Sequence, residues 1–222
     1  MHAGATRIAS WPAPAGGAEM AVLCGPEQAA PLLLLPALFD EGNKLRRFTL
    51  DLMRALAGHG IASVLPDLPG SNESLAPLEA QDLGLWRQAM AAAAAHFGAI
   101  RGLALRGGAL VAPAGLAGRA YAPVAGASLL RQMLRARIIA AHEAGLEEST
   151  DALLATGQSQ GLELAGHRLG PRMLADLAAA QPAPALTPIA PGDIPGPGLW
   201  LRAEPGENRA QAEALAAVVA GA

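Results

Sequence analysis

The residues best placed to do chemistry lie where a short apolar run is followed by a sharp turn and two glycines. Residues Gly102–Ala109 read GLALRGGA, which is the layout of a strand, a tight turn and a glycine-led helix that presents a catalytic nucleophile. Arg106 holds the nucleophile's position. Its guanidinium is always protonated and offers only hydrogen-bond donors, so it can neither attack a carbonyl carbon nor act as a general base.

The partners of a nucleophile are also missing from their expected places. The chain contains five histidines, which are His2, His59, His96, His142 and His167. None of them follows the last predicted strand, Leu199–Arg202, where a nucleophile–acid–histidine triad would have its base. Glu204 and Glu207 follow that strand and can supply an acid, but without a base no ordinary triad step is expected.

Two roles are open to Arg106. In the first, its guanidinium and the backbone N–H groups of Gly107 and Gly108 bind a carboxylate or phosphate of a ligand. In the second, Arg106 forms a buried ion pair with Glu41 or with one of the two late glutamates, and its role is structural. The sequence does not decide between them.

A second charged segment, Glu41–Arg47, stands at the start of a predicted helix and reads EGNKLRR. Its acidic residue and Asn43 are explained by helix capping and by the helix dipole. Lys44, Arg46 and Arg47 are less easily explained, because positive charge at a helix amino terminus is unfavourable unless a carboxylate or an anionic ligand neutralises it. The candidate ligand-binding residues are therefore Glu41, Asn43, Lys44, Arg47, Arg106, Gly107 and Gly108.

The elements that must position these residues alternate between short apolar runs and amphipathic helices. Strands are predicted at Met20–Leu23, Leu32–Leu35, Ile61–Leu65, Leu103–Leu105, Tyr121–Val124 and Leu199–Arg202, the first two of them inside the sheet. Helices are predicted from Leu45 to about Gly58, over Leu83–Phe97, from Gly107 onward, over Leu129–Ala141, from Pro171 to Ala180 and around Ala210–Val219. Because parallel strands need a crossover that is usually a helix, we predict an α/β fold with a doubly wound, mostly parallel sheet and helices on both faces.

The chain as a whole, residues 1–222, is predicted to be one cytoplasmic domain. Residues 1–19 are a loose segment with room for one short strand, and the proline-rich residues 181–198 are a surface connection. The net charge of −3 gives no reason to expect a nucleic acid or an anionic membrane as partner.

The cysteine content and the lengths of the apolar runs limit the cofactors and membrane segments that we expect. The single cysteine, Cys24, cannot form an internal disulfide, no metal-binding motif is present, and no apolar run is long enough to cross a bilayer. We therefore expect no metal, no cofactor and no transmembrane segment. A protein partner or a homo-oligomer stays open.

Four stretches of the chain, taken in order, have the pattern of one known family. Glu41–Arg47 is similar to Glu-x-Asn-Lys-x-Arg-Arg, and Leu105–Ala109 resembles Leu-Arg-Leu-Gly-Ala, with arginine at the nucleophile position. Leu130–Arg137 resembles a Gln-Phe-Leu-Arg-Leu-Arg helix, and Glu163–Leu169 resembles Glu-Val-Ala-Gly-Tyr-x-Leu with histidine in place of tyrosine. Together they resemble the exosortase A system-associated hydrolases. The resemblance implies an α/β-hydrolase fold and a bacterial setting of exopolysaccharide synthesis and envelope protein sorting, but no particular reaction. The part of the chain after residue 180 is short and departs from the family pattern, so we expect the fold to be shortened at its C-terminus.

Three hypotheses for the function follow. In the first, a hydrolase-fold protein without a working triad binds an anionic or acyl-bearing small molecule between the Glu41–Arg47, Asp67–Ser74 and Arg106 segments. In the second, an active esterase or thioesterase uses a serine and a histidine from elsewhere in the chain. The candidates for that pair are Ser71, Ser74 and Ser128 with His142 and His167. In the third, the crevice is filled and a large exposed apolar patch docks a protein of the envelope machinery.

Overall fold

A seven-stranded sheet forms the centre of the computed structural model, which describes residues 6–202 and 204–221. The strands in the described residues are β1 (Arg7–Pro12), β2 (Ala18–Cys24), β3 (Leu32–Leu35), β4 (Ser63–Pro66), β5 (Arg101–Leu105), β6 (Ala117–Tyr121), β7 (Leu162–Leu164), β8 (His167–Leu169) and β9 (Leu186–Ile189). The sheet runs in the order β1-β2-β4-β3-β5-β6-β9, and β7 pairs with β8 in a separate hairpin. Strand β2 is antiparallel to both of its neighbours, whereas the other pairs in the sheet are parallel. The predicted mostly parallel sheet is confirmed.

Helices cover both faces of this sheet. The α-helices in the described residues are α1 (Asp40–Gly58), α2 (Leu83–Phe97), α3 (Gly126–Glu143), α4 (Thr150–Gln160), α5 (Pro171–Ala179) and α6 (Arg209–Ala220). Helices α1 and α6 pack on one face, α2, α3 and α5 lie on the other, and α4 packs against α3 and α5. In β3, Leu32 and Leu34 pack into the core on the side of α1 and α6. Leu33 and Leu35 pack into the core on the opposite side, as the alternation of strand side chains requires.

Helix α1 begins earlier than its apolar spacing predicts. The spacing places the first helical residue near Leu45, but the helix starts at Asp40. Its N-cap residue is Phe39, whose side chain makes no capping hydrogen bond, so the predicted capping role of Asn43 is wrong. Asn43 instead is the fourth residue of the helix.

The last strand of the sheet is not the predicted Leu199–Arg202. The edge strand is β9, which lies within residues 181–198, the stretch predicted as a surface connection. Pro188 has no N–H to donate to a sheet ladder, but an edge strand needs none on its outer side. Residues Leu199–Leu201 form a 3-10 helix instead, with Leu199 and Trp200 buried.

The amino-terminal segment is more regular than its composition predicts. Strand β1 and the start of β2 occupy most of the described part of residues 1–19, and Ile8 pairs with Val22 in an antiparallel ribbon. Residues 1–5 of that segment lie outside the described residues. Helix α4 and the β7–β8 hairpin were not predicted as elements.

Candidate functional site

Arg106 stands at the sharp turn after β5, where the sequence places it. Its backbone φ is 54°, in the left-handed region that non-glycine residues seldom adopt. Strain of this kind typically persists where the surrounding structure fixes the backbone, and it is often found at functional turns. The predicted sharp turn after β5 is therefore present, with Arg106 at its strained position.

The helix predicted to begin at Gly107 is absent. Residues Arg106–Leu110 form only a five-residue 3-10 helix, too short to act as a helix amino terminus for anion binding. Gly108 lies so close to the end of β3 that a Cβ atom would be 2.3 Å from the carbonyl oxygen of Leu35 and 2.6 Å from that of Pro36. This glycine is required by packing between the turn and β3.

The guanidinium of Arg106 is held by groups of the protein itself. Its Nε and Nη2 donate to Oε2 and Oε1 of Glu41 at 3.1 and 2.9 Å, and its Nη1 donates to the carbonyl oxygen of Ala122 at 2.9 Å. The ring of Trp200 lies over the guanidinium carbon, 4.3 Å from ring centroid to carbon. The Arg106 side chain is 12% exposed and that of Glu41 is 3% exposed. Of the two roles left open by the sequence, the structure shows the buried ion pair.

Aromatic and amide groups pack around this ion pair. Tyr121 contacts Trp200 edge to face at a centroid distance of 5.9 Å, and its hydroxyl accepts a hydrogen bond from Gln211 of α6. Burial raises the pKa of Tyr121 above its ordinary value, so the phenol is neutral near pH 7. The turn at Arg106 is therefore enclosed by the segment that follows β9 and by α6.

A cavity lies beside the turn, beyond the carboxyl ends of β3 and β4. It has a volume of about 210 Å³, and we call it the main cavity. It lies between the first half of α1 and the loop that follows β4, and Arg106 does not line it. Its apolar lining includes Leu38, Phe39, Leu65, Leu68, Leu78 and Trp86. Its polar lining residues are Asn43, Arg46, Thr49, Ser71, Asn72 and His167.

Three of the polar residues come from one face of α1. Asn43, Arg46 and Thr49 are spaced three apart, which places them along the same side of a helix. The Arg46 side chain is 38% exposed, and its Nη1 donates to Oδ1 of Asp67 at 3.3 Å. Arg46 is therefore a cation at the cavity wall with one long contact to a carboxylate.

Asp67 is shared between Arg46 and the loop after β4. Its side chain is 5% exposed, and its Oδ1 also accepts a hydrogen bond from the Asn72 amide at 2.7 Å. Burial raises the pKa of Asp67 above its ordinary value, while Asn72 and Arg46 oppose that rise. One buried carboxylate thus positions two of the polar groups that line the main cavity.

The main cavity also contains a hydroxyl and an imidazole. Ser71 Oγ donates to the carbonyl oxygen of Leu68 at 2.7 Å, as in an ordinary turn. Burial lowers the pKa of His167 below its ordinary value, with Asp40 acting in the opposite direction, so the imidazole is neutral near pH 7. No hydrogen bond joins Ser71 to His167 among the described residues.

The other serines and the other histidine considered as a catalytic pair lie elsewhere. Ser74 Oγ donates to Oε1 of the buried Glu19 at 2.8 Å and accepts the N–H of Gly70, so it holds the loop in place. Ser128 and His142 lie on α3, and neither lines the main cavity. His2 lies outside the described residues.

The structure divides the predicted ligand-binding residues between several places. Asn43 lines the main cavity, whereas Glu41 and Lys44 line a smaller neighbouring one, the second cavity. Lys44 Nζ lies 2.7 Å from Oδ2 of Asp40, and Arg47 forms an exposed ion pair with Glu207. Arg106, Gly107 and Gly108 line neither cavity. Arg46 was not among the predicted residues, although its spacing of three from Asn43 could have identified it.

Two kinds of feature are absent from residues 6–202 and 204–221. They hold no group of three or more histidine, cysteine, aspartate or glutamate side chains that could bind a metal ion. None of the helices they form is long and apolar enough to cross a membrane.

Comparison with known proteins gives similarity at the level of structure. No protein-family model and no curated protein matches the chain. A hypothetical protein of Pseudomonas aeruginosa is similar with a TM-score of 0.54 and 11% identity, over 82% of this chain and 73% of that one. The α/β hydrolase GrgF from a Penicillium species is similar with a TM-score of 0.48 and 18% identity, over 68% and 64%. An α/β hydrolase from Novosphingobium aromaticivorans has a TM-score of 0.43 and 24% identity, over 62% and 51%. The chain spans less than two thirds of the length of either hydrolase.

At these identities the likeness concerns the fold alone. The structure has the architecture of an α/β-hydrolase fold. Its features are the strand order, the single antiparallel strand β2 inside a parallel sheet, the helices on both faces and the strained turn after β5. The predicted fold class is confirmed. In this fold the turn after β5 carries Arg106, which is ion-paired with Glu41.

Proposed function

We propose that this protein is a hydrolase-fold binding protein that takes a small anionic, acyl-bearing molecule into the main cavity. The observation that carries the proposal is the position of Arg46. Arg46 lines an open cavity at the carboxyl ends of two parallel strands, where ligands of such sheets bind. A single carboxylate contact at 3.3 Å leaves most of its donors for a ligand.

The anionic group is assigned to Arg46 rather than to Arg106. A guanidinium that already faces both oxygens of a buried carboxylate gains little from a second anion, which would have to displace Glu41. Lys44 and Arg47 have carboxylate partners of their own outside the main cavity. Asn43, one helical turn before Arg46, adds an amide donor at the same wall.

The remainder of the ligand is assigned to the apolar wall. Leu38, Phe39, Leu68 and Trp86 give the main cavity the mixture of apolar surface and few polar groups that is typical of small-molecule sites. Its volume of about 210 Å³ is below the range of about 300–1,000 Å³ common for drug-sized ligands, which favours a short acid. An open cavity also weighs against the third hypothesis, which requires a filled crevice.

The setting proposed from the family resemblance is bacterial exopolysaccharide synthesis and envelope protein sorting, with the protein in the cytoplasm. Two of the four matching stretches supply residues of the site, because Glu41–Arg47 contains Asn43 and Arg46, and Glu163–Leu169 contains His167. This overlap supports the resemblance as a proposal about the site as well as the fold.

Titration calorimetry with hexanoate tests the proposal. The variant Arg46→Gln removes the charge and shortens the side chain while keeping an amide donor, and a hydrogen bond to a charged group contributes about 1.5–3 kcal/mol. We expect the Kd for hexanoate to rise by at least about tenfold. The matched control is Arg47→Gln, an exposed arginine one residue away, for which the Kd should stay within about twofold. Unchanged affinity in Arg46→Gln would contradict the proposal.

A second candidate function is an esterase with a non-standard pair, because Ser71 and His167 line the same cavity. A fluorophosphonate probe tests this directly, since it labels serines activated as nucleophiles. Stoichiometric labelling that is lost in Ser71→Ala and kept in Ser128→Ala would favour the esterase. Absence of labelling would favour the binding protein.

A further inference from the structure

The main cavity has a neighbour that shares part of its wall. The second cavity has a volume of about 120 Å³ and, like the main cavity, is lined by Leu38 and Phe39. On its far side it is lined by Leu129, Met133 and Ala136 of α3. Its polar lining residues are Asp40, Glu41, Lys44 and Gln132. The two cavities therefore meet at a wall formed by Leu38 and Phe39. Arg46 lines the first of them, and apolar residues of α3 line the far side of the second.

Phe39 is the strained member of that wall. Its φ is 55° and its ψ is −133°, a conformation that a residue with a side chain adopts only when its surroundings enforce it. Its ring lies 5.6 Å from the Trp86 ring and 5.7 Å from the His167 ring, measured between centroids. Both of those residues line the main cavity, so the phenyl ring is held on the main-cavity side of the wall.

We infer that Phe39 is the specificity-determining residue that limits the acyl length of the ligand. This inference rests on the proposed function, because it takes the anionic group of the ligand to be at Arg46. The phenyl ring ends the main cavity and keeps an acyl chain from reaching the aliphatic residues of α3. Without the ring, the two cavities become one continuous space that reaches the aliphatic side chains of α3.

The volumes of the two cavities set the chain lengths of the acids that we expect to bind. A space of about 210 Å³ has room for roughly seven water-sized groups, and 120 Å³ adds about four. The main cavity alone therefore suits a six-carbon acid such as hexanoate. The combined space suits a ten-carbon acid such as decanoate.

Two variants of Phe39 test the inference in the full-length protein. Phe39→Ala removes the ring, and Phe39→Gly removes it while also relieving the positive φ, so that the glycine variant guards against a failure to fold. In both, the ratio of the decanoate affinity to the hexanoate affinity should rise by at least about tenfold over wild type. Adding Ala136→Leu narrows the second cavity at a solvent-exposed position of α3, and it should cancel that rise.

The outcomes separate this inference from the function on which it rests. The role of Phe39 is overturned if the ratio of decanoate affinity to hexanoate affinity stays within about twofold of wild type in both Phe39 variants. It is also overturned if that ratio rises and the rise persists after Ala136→Leu is added. Wild-type protein that shows no Arg46-dependent binding of hexanoate overturns the proposed function itself. Folding of each variant is checked by circular dichroism before titration.

Discussion

Arg106 and Glu41 form a two-point ion pair, with Nε and Nη2 of the arginine donating to the two carboxylate oxygens at 3.1 and 2.9 Å. Glu41 belongs to α1, the carbonyl oxygen of Ala122 that also accepts from Arg106 follows β6, and Trp200 follows β9. The arginine at the end of β5 therefore connects three distant parts of the chain. Its position favours a structural role at the turn where other proteins of this fold do chemistry.

Breaking this ion pair should destabilise the protein. Arg106→Met leaves Glu41 as an uncompensated buried charge, and such losses typically amount to about 3–5 kcal/mol of the free energy of unfolding. The double variant Arg106→Met, Glu41→Met removes both charges and should recover most of that loss. Urea unfolding measures the free energies.

The matched control for the ion pair is Arg47→Gln. The pair between Arg47 and Glu207 is exposed, so its loss should cost less than about 1 kcal/mol. A neutral effect of Arg106→Met, equal to that of Arg47→Gln, would show that the buried ion pair does not stabilise the turn.

Gly108→Ala should disrupt the turn by another route. Its new Cβ would lie 2.3 Å from the carbonyl oxygen of Leu35, which belongs to a central strand and cannot move cheaply. Overpacking of this kind costs about 1–3 kcal/mol, so Tm should fall by at least about 3 °C. Gly58→Ala, where a Cβ would meet nothing within 4 Å, should not lower Tm. Equal Tm values for the two variants would count against the close packing of the turn on β3.

Protonation of His167 should destabilise the folded state. Burial lowers the pKa of His167 below the ordinary histidine pKa of about 6.5, so the unfolded chain binds the proton more readily than the folded one. The free energy of unfolding should therefore decrease as the pH falls from about 6.5 towards the pKa of His167 in the folded state. Urea unfolding of wild type and His167→Gln at pH 7.5 and 5.5 measures that contribution. A wild type that loses no more stability on acidification than the variant would refute it.

Asp67→Asn should tighten the binding of hexanoate. Asp67 is the carboxylate that contacts Arg46, and its neutralisation leaves the guanidinium charge uncompensated at the cavity wall. We expect the Kd to fall by about two- to fivefold, the scale of a partly exposed ion pair. Asp51→Asn is the control, because Asp51 contacts Arg54 on the same helix and neither residue lines the main cavity. Weaker binding in Asp67→Asn would indicate that Asp67 positions Arg46 more than it neutralises it.

The elements with strong local signals could be predicted from the sequence. Helix α2 has the predicted bounds Leu83–Phe97, because an alanine-rich run after Asp82 and before Gly98 has clear ends. The turn at Arg106 could be predicted because the strand and the glycines that form it are contiguous. Strand β9 could not, because its four residues include a proline and only Leu186 and Ile189 are buried.

Which residues form the site depends on which parts of the chain meet in the fold. Local sequence patterns do not contain this information. Glu41, Glu204 and Glu207 were equivalent partners for Arg106 until the sheet order placed the start of α1 beside β5. The distinction between Arg46 and Arg47 likewise depends on the register of α1. One helical residue is a rotation of about 100°, which is enough to place one arginine at the cavity wall and the next on the surface.

A crystal structure with 6-bromohexanoate tests the central claim most directly, because the anomalous signal of bromine locates the acyl end without ambiguity. We predict a bromine site inside the main cavity on the Arg46 side of Phe39. We also predict a carboxylate oxygen at about 2.7–3.2 Å from the Arg46 guanidinium, with the Glu41–Arg106 pair intact. A carboxylate bound to Arg106 with Glu41 displaced, or a main cavity without bromine at a concentration that saturates binding in solution, would contradict the account.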